Sequence, residues 1–180
     1  EHEILIRIPD KAVNATVDGE PVDSGFVKIS RDFFGESTID VRFSFNVELT
    51  ERPSGLFSAE RGNLVFSLPI GERWEKKEYV REGVERKFPY YDYEIFPTTD
   101  WNYGFCGNDF KVDFLQVGAV PFSPDGAPIR LTARMAPVDW KMIDGRCAEL
   151  PENKKAVGEP TERVLIPYGC TNLRMTEMPI

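Results

Sequence analysis

The chain has 180 residues, 41% of them hydrophobic and 29% charged, with a formal net charge of −8. That balance lies above the low-hydrophobicity regime of disorder, and the length suffices for one sizeable core or two small sandwiches. It argues against nucleic acid as a partner, because phosphate binding needs a clustered positive face and the basic pairs Lys76-Lys77 and Lys154-Lys155 lie near Glu rather than further cations. No apolar run approaches the ~20 residues that span a bilayer, so no membrane span is expected.

Ile4, Ile6 and Ile8 alternate within the first ten residues and predict a strand over 3–8. The chain starts without Met or a leader-like segment, which suggests a cut inside a longer polypeptide. A strand over 12–18 runs into the turn signal Asp18-Gly19, and a strand over 25–30 is expected to return as its hairpin partner. The clearest alternation, Ile39, Val41, Phe43, Phe45, Val47 and Leu49, predicts one long strand over 38–49 with that face in the core. On that reading Phe43→Ala costs roughly 3–5 kcal/mol.

Further strands are predicted over 63–70, 110–118, 129–136, 163–168 and 172–178. Residues 72–88 and 144–162 are dense in charge and polar groups and read as long surface loops. No segment shows helical periodicity with caps, and fourteen prolines with fourteen glycines interrupt any such run. The expected fold is all-β, an antiparallel β-sandwich over 1–180 that can be divided into two packed lobes, about 1–71 and 88–180.

The only histidine, His2, stands beside the terminus, which leaves no Ser-His-Asp or Cys-His arrangement. Cys106, Cys147 and Cys170 are far apart, without zinc-knuckle or redox spacing, and are expected as buried or half-buried free thiols. No metal and no cofactor is expected. Carboxylate pairs are the remaining intrinsic route to hydrolysis, and Glu72, Glu94, Asp100 and Glu177 lie near aromatic or apolar residues that could raise a pKa.

The stretch from Phe88 to Phe105 is rich in aromatic residues beside Asp and Asn, a chemistry that suits sugar binding, an interdomain seam or a plain core alike. Within it Asp100, Trp101, Asn102 and Tyr103 follow Pro97-Thr98-Thr99 and are expected to face outward. Trp101→Ala would then leave the melting temperature nearly unchanged. Trp74 and Trp140 join them as candidate interdomain or sugar-contacting residues.

Several segments resemble a known family. They are Ile6-Arg7-Ile8-Pro9, Val17-Asp18-Gly19-Glu20-Pro21-Val22, Gly25-Phe26-Val27-Lys28-Ile29, Arg31-Asp32-Phe33, Gly62-Asn63-Leu64-Val65-Phe66-Ser67-Leu68 and Thr99-Asp100-Trp101-Asn102-Tyr103. The longest is Leu165-Ile166-Pro167-Tyr168-Gly169-Cys170-Thr171-Asn172-Leu173-Arg174-Met175-Thr176-Glu177. Together they look like the C-terminal region of β-L-arabinofuranosidase-type enzymes, glycoside hydrolase family 127. Asn63 and Met178 depart from the family's usual pattern.

The resemblance implies a parent protein with an (α/α)6 catalytic barrel ahead of this segment, which would serve as a C-terminal β-sandwich accessory domain. It implies that the cysteine nucleophile and zinc cluster belong to the barrel, and the scattered cysteines here match neither. No catalytic residue carries over. The partners expected are the catalytic domain of the same parent chain, whose substrate pocket this domain would help to shape, and a plant-type glycan, in a periplasmic or extracellular setting of bacterial polysaccharide degradation. The alternatives are an autonomous carbohydrate-binding module and a small carboxylate hydrolase.

Overall fold

An alternating strand gains nothing alone, because its backbone donors need a neighbour and its apolar face needs a cover. The computed structural model, which describes residues 2–180, meets both needs with an all-β, antiparallel architecture. Among the described residues the helical content is one 3-10 turn, Tyr168–Cys170, and no helix is long and apolar enough to cross a membrane. The chain forms two compact units, one running up to Glu48 and taking in Glu60–Leu64, the other made of Leu49–Ala59 and Val65–Ile180.

The first unit holds β1 (His2–Ile8), β2 (Val13–Val17), β3 (Glu20–Pro21), β4 (Gly25–Arg31) and β5 (Val41–Ser44). β1 and β4 pair antiparallel with Ile4 opposite Ile29 and Ile6 opposite Val27, while β3, β2 and β5 form a second small sheet. Ile8, Ala15 and Val17 are buried, and Ile6, Val27, Ile29 and Val41 pack against them. The Asp18-Gly19 signal is honoured locally: both residues have positive φ, 51° and 87°, and the turn joins β2 to β3. The returning strand β4, however, pairs with β1 rather than β2, because β3 already occupies that edge of β2.

The long strand expected over 38–49 is two strands, β5 and β6 (Val47–Glu51), with a break at Phe45-Asn46. The break lays the Phe45 ring over Gly62, whose φ of +59° no β-branched residue adopts readily and whose missing Cβ would come within 2.9 Å of that ring. Phe43 is left 42% exposed, edge-on to Phe45, so it is not the core residue that the alternation suggests. Its truncation therefore lacks the cavity that gives core substitutions their cost.

The remaining strands are β7 (Phe57–Arg61), β8 (Leu64–Pro69), β9 (Glu72–Lys77), β10 (Tyr79–Arg81), β11 (Val84–Arg86), β12 (Asp92–Pro97), β13 (Tyr103–Phe114), β14 (Ile129–Pro137), β15 (Met142–Ile143), β16 (Arg146–Cys147), β17 (Thr161–Pro167) and β18 (Arg174–Met175). The large sheet runs β13-β14-β17-β8-β7-β6, with β18 paired to β8 off that path. β14 buries Ile129, Leu131, Ala133 and Met135 at every second position, as its sequence requires. Phe66, Leu131, Met135, Leu165 and Met178 are wholly enclosed in the second unit.

Strand β13 begins earlier than the 110–118 expected, at Tyr103, and its register against β14 shifts between Phe105 and Phe110. That irregularity around Gly107 is what hides its first half from a period-two reading. The supposed loop over 72–88 is instead the two-stranded pairing of β9 with β12 and the β10–β11 hairpin, which turns at Glu82-Gly83. The polar stretch over 144–162 opens with a second small hairpin, β15–β16, turning at Asp144-Gly145, before irregular chain leads into β17.

Candidate functional site

The run Asp100 to Tyr103 does not behave as an outward patch. Trp101 and Tyr103 are buried, Asn102 is half-buried, and Asp100 alone is exposed. The Trp101 ring meets the half-buried Trp140 ring edge-on at 5.4 Å, and the Trp140 indole N–H donates to the Ala148 carbonyl at 2.9 Å. The Asn102 side-chain amide donates to the Val138 carbonyl at 2.6 Å, while the Val138 N–H donates to the Asn102 carbonyl. Trp101, Asn102 and Trp140 thus pin the start of β13 to the end of β14. The expected outward placement of Trp101 is corrected, since its ring is buried within its own unit, whereas Asn102 and Trp140 stay half-buried.

What the run does build is one wall of a cleft of about 530 Å³ lined by Leu68, Pro69, Thr98, Thr99, Asp100, Tyr103, Arg163 and Val164. Arg163, on β17, donates to the Tyr103 hydroxyl, and its guanidinium carbon lies 4.5 Å from the Tyr103 ring centroid. The Arg163 Nε is buried without a hydrogen-bond partner. Across the cleft the Thr98-Thr99 turn lies against Gly71, which donates its N–H to Thr99 Oγ1 at 2.9 Å and accepts from the Thr98 N–H at 2.8 Å. A Cβ on Gly71 would come within 2.4 Å of Thr98 Oγ1, so only glycine permits this approach.

The four acids singled out from sequence fall into different settings. Glu72 is ringed by donors: the N–H groups of Asn172 at 3.0 Å and Leu173 at 2.7 Å, the Thr171 hydroxyl at 3.2 Å, the Asn172 amide and the Trp74 indole N–H at 2.9 Å. Burial pushes its pKa up, but the Leu173, Trp74 and Asn172 donors together outweigh it and hold the carboxyl below its usual value. It is a structural acceptor rather than a proton donor. Glu94 pairs with Lys77 at 3.0 Å, and Glu177 with Arg52 at 3.4 Å. Asp100 lies exposed at the cleft.

The same contacts hold the segment that follows β17 in place. Glu72 accepts from Thr171, Asn172 and Leu173, while Arg174 donates to the carbonyls of Thr171 and Asn172 and stacks on Tyr168 at 3.7 Å. Glu72→Ala leaves those donors unmet and is expected to lower stability by about 2 kcal/mol, read by urea unfolding. The sign of its pH effect follows from the depressed pKa. Glu72's contribution is full above the unfolded-state pKa and fades as pH falls through the folded one, so Glu72→Gln should flatten the loss of stability on acidification below about pH 5.

Trp74 stands apart from the Trp101 group, 48% exposed on β9. Register puts Trp74 opposite Ile95 and Lys76 opposite Tyr93, so one face of this ribbon carries Trp74, Tyr93, Ile95 and Lys76. The other face carries Arg73, Glu75, Lys77 and Glu94, with Lys77 bridging Glu75 and Glu94. Edge-on contacts run from Trp74 to Tyr93 at 5.6 Å, from Tyr93 to Tyr91 at 6.4 Å and from Tyr91 to Phe88 at 6.4 Å. Phe88, Tyr90 and Tyr93 are exposed at 78%, 74% and 51%.

Sequence reasoning misses Arg163, because a lone cation at the polar start of a strand carries no signal of what it faces; the register sets it opposite the buried Ala133, on the face of Leu165. Cys170 is buried, but Cys106 and Cys147 are exposed rather than buried or half-buried. Among the described residues no group of three His, Cys, Asp or Glu side chains is arranged to hold a metal. No family model matches the chain, and neither a curated protein nor a solved structure matches it.

Proposed function

We propose that this chain is a non-catalytic β accessory domain that packs on the catalytic domain of its own parent chain, with the aromatic ribbon as the docking element. The observation that carries the reading is the exposed series Trp74 and Tyr93 on one small ribbon, with Phe88 and Tyr90 in the turn that leads into it. Clustered exposed aromatics are unusual on a free surface and characteristic of one that a partner covers. The resemblance of the chain's motifs to the family-127 C-terminal region supplies the nature of that partner, an (α/α)6 glycoside hydrolase barrel acting outside the cytoplasm. The engaged states of Glu72, Glu94 and Glu177 support the non-catalytic part.

Amide hydrogen exchange tests it. Residues 72–97 should exchange at least about tenfold more slowly in the longer parent protein than in the 180-residue chain, since a covered ribbon opens less often. Equal exchange in the two would discard the docking reading. A second reading, an autonomous carbohydrate-binding module, is favoured by the same Trp74 and Tyr93 rings, which could stack on sugar faces. Retardation of the isolated chain in a plant-polysaccharide affinity gel, lost in Trp74→Ala, selects that reading over the first. On either reading the chain alone releases no chromogenic arabinofuranoside.

A further inference from the structure

We propose that the cleft between Arg163 and the Thr98-Thr99 turn is a binding site for a hydroxylated monocarboxylate of about monosaccharide size, a sugar acid. In this assignment Arg163 takes the carboxylate, and Asp100 with the two threonines meets the hydroxyls. The inference does not rest on the docking reading: none of these residues belongs to the aromatic face of the ribbon.

The volume of about 530 Å³ falls within the range of small-ligand pockets, and its lining sets Thr98, Thr99, Asp100 and Arg163 beside Leu68, Pro69 and Val164. The cation is the stronger argument. Among the described residues no carboxylate lies within ion-pair distance of Arg163, although its side chain is half-buried and its Nε is shielded without a partner. A guanidinium partly withdrawn from water is normally matched by an anion, because desolvation otherwise goes uncompensated. Tyr103 holds it by its hydroxyl and its ring, which fixes the planar fork without neutralising it. A ligand carboxylate supplies the missing charge in the geometry that a guanidinium recognises best.

Asp100 sets the rest of the ligand. It lines the same cleft, yet it is not paired with Arg163, so the two opposite charges leave room for a ligand between them. An ionised carboxylate only accepts hydrogen bonds, which fits hydroxyl donors and repels a second ligand carboxylate. Thr99 Oγ1 already accepts from Gly71, which leaves its own proton to donate outward. Acceptor, donor and cation around one cleft match an acid that also carries neighbouring hydroxyls.

Nuclear magnetic resonance titration of the 180-residue chain with D-galacturonate, D-galactose and propionate tests the assignment. Galacturonate should shift the amides of Thr98, Thr99, Asp100, Tyr103 and Arg163 saturably, with galactose and propionate each at least about tenfold weaker. Arg163→Gln should weaken galacturonate binding at least about tenfold. Should that variant lose its dispersed spectrum, Asp100→Ala, at an exposed position, is read instead, and should weaken galacturonate several-fold while leaving propionate unchanged. No saturable shift at these amides, equal binding of galactose, equal binding of propionate, or a readable variant that binds like the wild type would each overturn the proposal. None of these results bears on exchange in the ribbon, so the two readings fail separately.

Discussion

Trp101→Ala is expected to lower the unfolding free energy by about 3–5 kcal/mol, the range for removing a large aromatic from an enclosed site. The ring is only 7% exposed, and its edge-on partner Trp140 is itself tied to the Ala148 carbonyl, so Trp140 is not free to swing in and fill the space. Loss of the ring pair adds about 0.5–1.5 kcal/mol to the transfer cost. Trp101→Phe should recover much of the difference, because a ring remains to meet Trp140. Urea unfolding followed by far-ultraviolet circular dichroism measures both, and a Trp101→Ala variant within about 1 kcal/mol of wild type would mean the site is not enclosed.

Phe66→Ala should cost a similar 3–5 kcal/mol, for a different reason. Phe66 is completely inaccessible on β8, a strand flanked in the large sheet by β17 and β7, where the backbone on both sides is fixed by ladder hydrogen bonds. A sheet interior relaxes little, so the cavity persists and its cost is felt in full. Phe66→Leu, which keeps most of the volume, should lose less than about 1.5 kcal/mol. The same unfolding experiment decides: if Leu and Ala at this position are equally harmful, shape rather than volume governs the site.

Residues that are enclosed on one face only announce themselves in the sequence. β14 is legible because every second residue is apolar, and β17 because its second half is a run of apolar residues that ends at Pro. β9 and β12 are not, because an exposed ribbon has no buried face to write in alternation; between its two strands Lys77 meets Glu94 and Trp74 meets Tyr93. The opposite error occurs at Phe43, where alternation is present but the break at Phe45-Asn46 turns the ring toward solvent. In the candidate site, the Asp100-to-Tyr103 run was visible as chemistry, but which of its members face the cleft depends on Arg163 and Gly71, distant in sequence and joined only by the fold.

The pairing of β8 with β17 and β18 also governs how the protein must be made. Ser67 and Thr176, whose hydroxyls meet at 2.8 Å, are 109 positions apart. At roughly 5–20 residues per second of synthesis, β8 waits on the order of ten seconds for β18 to be made. During that interval the apolar side chains of β8, Phe66 among them, have no lasting cover, and the nascent chain offers a bare strand edge to its neighbours. Slowing translation should therefore raise the aggregated fraction, and a ribosome-associated holdase should lower it; the yield of native protein depends on who shields β8 while its partners are still being translated.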